Sequence, residues 1–272
     1  MRSTILRLGN RDVDVEDRPV VMGVLDVVGP GAGVDMSLDD LVRRAGLLVD
    51  GGADLLDLEL VGAPDPAVDE ELEVVARAVE AVAARVDVPL SVATSGTAMA
   101  RAAFGAGAVM ANDRTGCADA TYLAVVAECG ATLVAGVGGA VGGGPGGPDG
   151  VVDDVRAALL ERVGQARSAG IPADRIVLDA GLGQGTSAQE ALALLRASDR
   201  LVELGHPVLL SVDEATFVEA LPAVADGGSR GAMSLAAASL ATALGCRVVR
   251  TRDVAAHHQV CAVLAAVNGA AR

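Results

Sequence analysis

The run VVMGVLDV, residues 20–27, is almost wholly apolar and closes around one carboxylate, Asp26. Seven further runs share its character: Ala53 to Leu60, Pro89 to Thr94, Ala108 to Asn112, Thr132 to Val137, Arg175 to Asp179, Pro207 to Val212 and Arg247 to Thr251. Strands of a parallel sheet covered on both faces read as continuous Val, Leu and Ala, and each crossover between them needs a dozen or more residues, usually a helix. The intervals here satisfy both conditions. Eight such units in 272 residues predict one (β/α)8 TIM barrel of the α/β class, a single domain over residues 1–272, near the ~250 residues typical of that fold. Active sites of such barrels are built at the C-terminal ends of the strands. The polar residues that close the runs are therefore the candidates: Asp26, Asp57, Glu59, Thr94, Asn112, Asp113, Asp179, Asp213, Glu214, Arg250 and Arg252.

Around the barrel, Thr4 to Leu8 and Asp12 to Val15 flank Gly9-Asn10-Arg11, which predicts an N-terminal hairpin capping the barrel floor. Ser37 followed three residues later by Asp40 signals a helix start, and Gly51-Gly52 its end. Helical spacing recurs over 69–84, 118–129, 151–169, 187–204, 234–244 and 253–267. The last two segments carry Ala and Leu on more than one face, so they need a second surface to bury, and a homodimer through them is expected. The glycine-rich stretch Gly138 to Gly150 reads as a loop covering the functional face.

Composition removes several function classes. All 21 basic residues are arginine, which excludes Schiff-base lysine chemistry and a phosphate-loop lysine. A formal charge of −15 argues against nucleic acid and anionic membrane as partners, since both recruit basic patches. The first 19 residues are charged throughout and lack the apolar core of a signal peptide, so a cytoplasmic location is expected. Cys117, Cys129, Cys246 and Cys261 show no paired spacing and read as reduced, buried thiols.

The most specific stretch is Ile176-Val-Leu-Asp-Ala-Gly-Leu-Gly-Gln-Gly-Thr186, a strand with an acid at its tip and a glycine-paced turn into a helix. Together with Met22-Gly-Val-Leu-Asp-Val27, Gly52-Ala-Asp-Leu-Leu-Asp57, Gly107-Ala-Val-Met-Ala-Asn-Asp113 and Gly245-Cys-Arg-Val-Val-Arg-Thr-Arg-Asp253, it resembles dihydropteroate synthase from about Val20 to the C-terminus. The resemblance implies a pterin-like small-molecule ligand deep in the barrel, condensation of a hydroxymethyl-pterin diphosphate with p-aminobenzoate, and Mg²⁺ assisting diphosphate departure. It assigns Asn112 and Asp179 to the pterin edge and Arg250 to the vicinity of the diphosphate and ring, with Asp57 and Thr94 as further ligand-binding residues and Asp26 at the metal position. A carboxylate suits the donors of an aminopyrimidinone, and a carboxamide matches donor and acceptor atoms together. Pterin-binding domains of methyltetrahydrofolate methyltransferases resemble the same barrel.

Several positions depart from the family pattern. The asparagine after the first strand is Asp26, the strand-three aspartate is Ala93, and the strand-seven S-R-K-S is Asp213-Glu-Ala-Thr216. The strand-eight R-x-H is Arg250-Thr-Arg252, and the arginine-bearing loop after strand two reads Gly62-Ala-Pro-Asp-Pro66. Loss of one preorganised charge-stabilising group typically costs ~10²–10³ in rate. These departures imply a divergent relative, an inactive paralogue that keeps part of a pterin pocket, lacks ordinary condensation and pairs with a true synthase. The alternatives are an enzyme repurposed for another heterocycle, or a working transferase of folate biosynthesis in which Arg252 or Arg114 compensates. Asp113 and Asp179 each have a simpler reading as turn-forming Asx residues, and Asp57 and Glu59 as acids satisfied by strand amides or arginines. Neither His206 nor the pair His257-His258 is expected to be catalytic.

Overall fold

The computed structural model describes residues 5–16, 18–28, 37–61, 69–113, 115–117, 119–138, 147–182, 186–211 and 229–270. The N-terminal hairpin is present as β1 (Ile5–Leu8) and β2 (Arg11–Asp14), antiparallel about a turn at Gly9 and Asn10. Eight parallel strands then close on themselves: β3 (Val20–Val28), β4 (Leu55–Val61), β5 (Leu90–Ala93), β6 (Met110–Asp113), β7 (Thr132–Gly136), β8 (Ile176–Asp179), β9 (Val208–Ser211) and β10 (Val248–Thr251). Each pairs with its sequence neighbour, and β10 returns to β3.

The crossovers are α1 (Leu38–Asp50), α2 (Asp69–Ala83), α3 (Thr97–Gly105), α4 (Ala120–Glu128), α5 (Gly147–Ser168), α6 (Ala188–Arg196), α7 (Ser198–Val202), α8 (Arg230–Ala243) and, after β10, α9 (Val254–Ala270). Three boundaries differ from the sequence reading. α5 begins at Gly147 and takes the end of the glycine-rich stretch into a helix. The helix expected over 187–204 is broken at Ala197, whose ψ of 23° departs from the helix, and Ser198 turns its hydroxyl onto the Leu195 carbonyl at 2.8 Å. The short helix α3 lay within an interval that the pattern left unspecified. At the other end of the helix register, Ser187 and Glu190 cap α6 reciprocally.

Strand pleating divides the core in two. Outward residues such as Val21, Leu25, Leu56, Leu58, Leu90, Val92, Ala111, Leu133, Ile176, Leu178, Leu210 and Val249 pack against the helices. Inward residues Val20, Met22, Leu55, Met110, Val134, Val177, Leu209 and Val248 form a separate plug with Leu6, Leu8 and Val15. The hairpin is thus the barrel's floor, as the sequence suggests. Arg175 donates to the Gly9 carbonyl at 2.9 Å and Arg11 to that of Asp87 at 2.9 Å, tying the hairpin to the strand N-termini. Burying a Leu or Met side chain contributes roughly 1.5–3 kcal/mol, so the plug anchors the hairpin together with these hydrogen bonds.

Gly52, at φ +100°, turns α1 into β4 in a conformation that side chains rarely adopt. A Cβ there would stand 2.5 Å from the His258 ring, whose Nδ1 lies 3.1 Å from the Gly52 carbonyl. The cysteines are free, as expected, but Cys129 is exposed, because it caps the solvent end of α4. Burial is the main cause that pushes the Cys246 thiol up to about 12 and that of Cys261 to about 11.

Candidate active site

The inner plug stops abruptly, one pleat short of the barrel mouth. Two residues beyond Leu55, Met110, Val177, Leu209 and Val248 stand Asp57, Asn112, Asp179, Ser211 and Arg250, all buried. Side chains alternate faces along a strand, so these polar groups share the plug's inward direction and form the layer above it. Ser91 joins them, since Leu90 and Val92 on either side face the helices and Asp57 is its register partner.

Asp57 is the hub of this layer. Its Oδ2 accepts from Asn112 Nδ2 at 2.8 Å and from Arg250 Nε at 2.8 Å. Arg250 is 1% exposed and Asp57 fully covered, so this is a buried ion pair. Arg250 Nη2 continues to Glu59 Oε2 at 2.9 Å. Arg252 reaches the same Glu59 oxygen at 3.4 Å and Asp26 Oδ1 at 2.8 Å. A carboxylate only accepts, so Asn112 must turn its amide NH₂ toward Asp57 and its carbonyl elsewhere. That leaves Asp57 Oδ1 and Asn112 Oδ1 buried without a hydrogen-bond partner, together with the hydroxyls of Ser91 and Ser211. Nearly all buried polar atoms in proteins are paired, so four orphans in one layer mark a place prepared for a polar ligand.

The remaining candidates sort by pleat and turn. Asp179 stands at the tip of β8, two residues beyond inward Val177, and its Oδ1 accepts from Gly181 N at 2.8 Å. It is at once a mouth residue and the turn former of the simpler reading. Asp113 follows inward Asn112 and therefore points the other way, accepting from Thr115 N and Oγ1 at 2.7 Å and from Cys117 N at 2.9 Å. Its role is to close the turn that holds Cys117 at φ +52°. Thr94 Oγ1 accepts from Gly96 N at 3.0 Å, and the Thr94 carbonyl accepts from the Tyr122 hydroxyl at 2.9 Å. Burial, reinforced by the charges of Asp113 and Asp57, pushes the Tyr122 phenol well above its ordinary range and keeps it a donor.

Sequence reasoning passed over Tyr122 and Ser211, although the period of two along β9 points to the serine. Asp213, Glu214, the family-pattern residues Ala215 and Thr216, Arg114 and the segment 62–66 lie outside the described residues. Asp26 and Glu59 are register partners, both hard oxygen donors of the kind that hold Mg²⁺, with Arg252 between them. Among the described residues, no group of three or more His, Cys, Asp or Glu gathers as an ion site. His257 is buried away from this layer, with Nδ1 2.8 Å from the Asp253 carbonyl and Nε2 3.1 Å from Ser234 Oγ, joining α9 to α8.

Comparison with known proteins agrees with this architecture. A dihydropteroate synthase of Streptococcus pyogenes is 30% identical over 268 residues, covering 92% of this chain and 96% of that protein. A probable bifunctional folylpolyglutamate synthase/dihydropteroate synthase of Haloferax volcanii is 34% identical over 256 residues, but this chain spans only 30% of its length. Among solved structures, a Coxiella burnetii dihydropteroate synthase in complex with pteroic acid superposes with a TM-score of 0.87 at 26% identity, covering 98% of this chain and all of that one. The Xanthomonas albilineans dihydropteroate synthase with 4-aminobenzoic acid gives 0.83 at 33% identity, over 98% of each chain. The family model described as pterin binding enzyme matches residues 30–252, and the chain belongs to that family, the family of the dihydropteroate synthases.

Proposed function

We propose that this chain is a transferase of dihydropteroate synthase type, seating the aminopyrimidinone ring of a pterin diphosphate in the barrel mouth. The observation that carries the reading is the buried acceptor set: Asp57 Oδ1 and Asn112 Oδ1 without partners, with the Asp179 carboxylate at the tip of β8, two strands on from Asn112. A ring edge carrying N–H and NH₂ donors satisfies these acceptors, whereas an anion, which has no donor to offer, does not. The ring would lie on the inner apolar plug, and the diphosphate would extend toward Arg252 at the mouth.

In this reading Arg250 organises the pocket, because its guanidinium bonds to Asp57 and Glu59. Arg252 is the more accessible cation and exchanges Asp26 and Glu59 for diphosphate oxygens as negative charge develops on the leaving group. Mg²⁺, where it takes part, would be held by Asp26 and Glu59, and supplies charge neutralisation to the departing diphosphate. One domain over residues 1–272, a cytoplasmic location and a homodimer go with this reading, the last supported by exposed Leu240, Val263 and Val267 on α8 and α9. No helix among the described residues is long and apolar enough to cross a membrane.

A second reading, pterin binding without condensation and in partnership with a true synthase, is favoured by one observation. The chain contains no lysine, and Arg252 is already engaged by two carboxylates. Calorimetry with 6-hydroxymethylpterin, followed by a turnover assay with its diphosphate and p-aminobenzoate, separates the two. Binding with turnover supports the transferase, binding without turnover supports the second reading, and no binding ends both.

A further inference from the structure

We propose that the hydroxyls of Ser91 and Ser211 are specificity-determining ligand contacts, unpartnered hydrogen-bond donors set among the carboxylates and carboxamide of the floor. The proposal rests on the pterin reading above and deepens it. Each serine occupies a strand between two members of the polar layer. β5, with Ser91, runs between β4 with Asp57 and β6 with Asn112. β9, with Ser211, runs between β8 with Asp179 and β10, whose Arg250 is its register partner.

Neither hydroxyl has a partner, although Ser91 is fully covered and Ser211 is 3% exposed. A buried hydroxyl without a hydrogen bond lowers stability, and alanine would fill either position without that penalty. Groups kept at such a cost belong to the ligand-bound state.

The chemistry of the layer says what they would read. Asp57 and Asp179 only accept, Asn112 directs one N–H of its amide to Asp57, and Arg250 directs Nε to Asp57 and Nη2 to Glu59, so these donors are turned toward carboxylates of the layer. An aminopyrimidinone carries ring-nitrogen and carbonyl acceptors beside its N–H donors, and those acceptors need donors from the protein. Serine hydroxyls are suited to them and carboxylates are not. Ala93, where the family pattern has a carboxylate, contributes no polar atom, so the balance of the floor shifts further from acceptors toward these two donors.

The test compares the unmodified protein, Ser211→Ala and Ser91→Ala in two measurements: calorimetric affinity for 6-hydroxymethylpterin, and thermal midpoint without ligand. The expected result has opposite signs. Affinity falls roughly 5- to 30-fold in each variant, while the ligand-free midpoint holds or rises. Affinity unchanged in both variants would overturn the proposal and leave the pterin reading intact. So would a lowered midpoint, which marks the serines as structural. If the unmodified protein fails to bind the pterin, the underlying reading falls and this proposal with it.

Discussion

Asp57 Oδ2 and Arg250 Nε meet at 2.8 Å with both side chains shut away from solvent, across the barrel wall by way of β3. Removing one member of a buried pair leaves the other uncompensated, typically at ~3–5 kcal/mol, whereas replacing both with apolar residues of similar size costs far less. Arg250→Ala alone is therefore expected to destabilise by roughly 3–5 kcal/mol in denaturant unfolding, and Asp57→Leu with Arg250→Met by less than either single change. Additive losses would show that the two do not act as a unit.

Gly52 couples α1, β4 and α9 through its backbone. Gly52→Ala is expected to cost roughly 1–3 kcal/mol for the φ of +100° alone, and more for the contact with the His258 ring. Adding His258→Ala should recover the steric part and leave the backbone part, as read from thermal midpoints. Full recovery would locate the whole cost in the ring contact.

Leu240 is 45% exposed on α8, and Val263 and Val267 on α9 are exposed by more than half. If these residues cover one another in a dimer, Leu240→Glu should convert the dimer to a monomer by light scattering. An unchanged dimer would put the interface on another face.

The acidic surplus sets a salt dependence. Exposed ion pairs such as Arg7–Asp12 and Arg101–Glu128 are held in water, so screening them loses little. Screening the self-repulsion of a chain at −15 gains more. The thermal midpoint is expected to rise as NaCl goes from about 0.05 M to about 1 M, where the Debye length shrinks to ~3 Å. A midpoint that falls with salt would mean that attractive pairs outweigh net repulsion.

How legible a residue was in the sequence depended on whether its role was set along the strand or across the barrel. Asn112 and Asp113 are adjacent polar residues at one strand tip, yet pleating sends one to the mouth and the other to a turn. The period-two rule separates them once Met110 and Ala111 are assigned to opposite cores. Thr94 read as a mouth residue because it closes its run, and its Oγ1 also accepts from Gly96 N at 3.0 Å, a local turn bond that spacing does not reveal. The break at Ala197 depends on how Ser198 bonds backward to Leu195, a competition between local hydrogen bonds that spacing does not reveal.

The eight apolar runs, their helix-length intervals and the hairpin before them determined the barrel, because burial on both faces of a parallel strand demands a continuous apolar run and a long crossover. The polar residues closing most of the runs likewise marked one end of the barrel as the candidate site. Tertiary structure alone decided the partners: Asp57 and Arg250 stand 193 residues apart in sequence, and only barrel closure through β10 and β3 brings them together. It also decided which polar atoms go unsatisfied. Hydrogen-bond satisfaction is a property of three-dimensional neighbours, so the orphaned oxygens of Asp57, Asn112, Ser91 and Ser211 have no signature in one dimension.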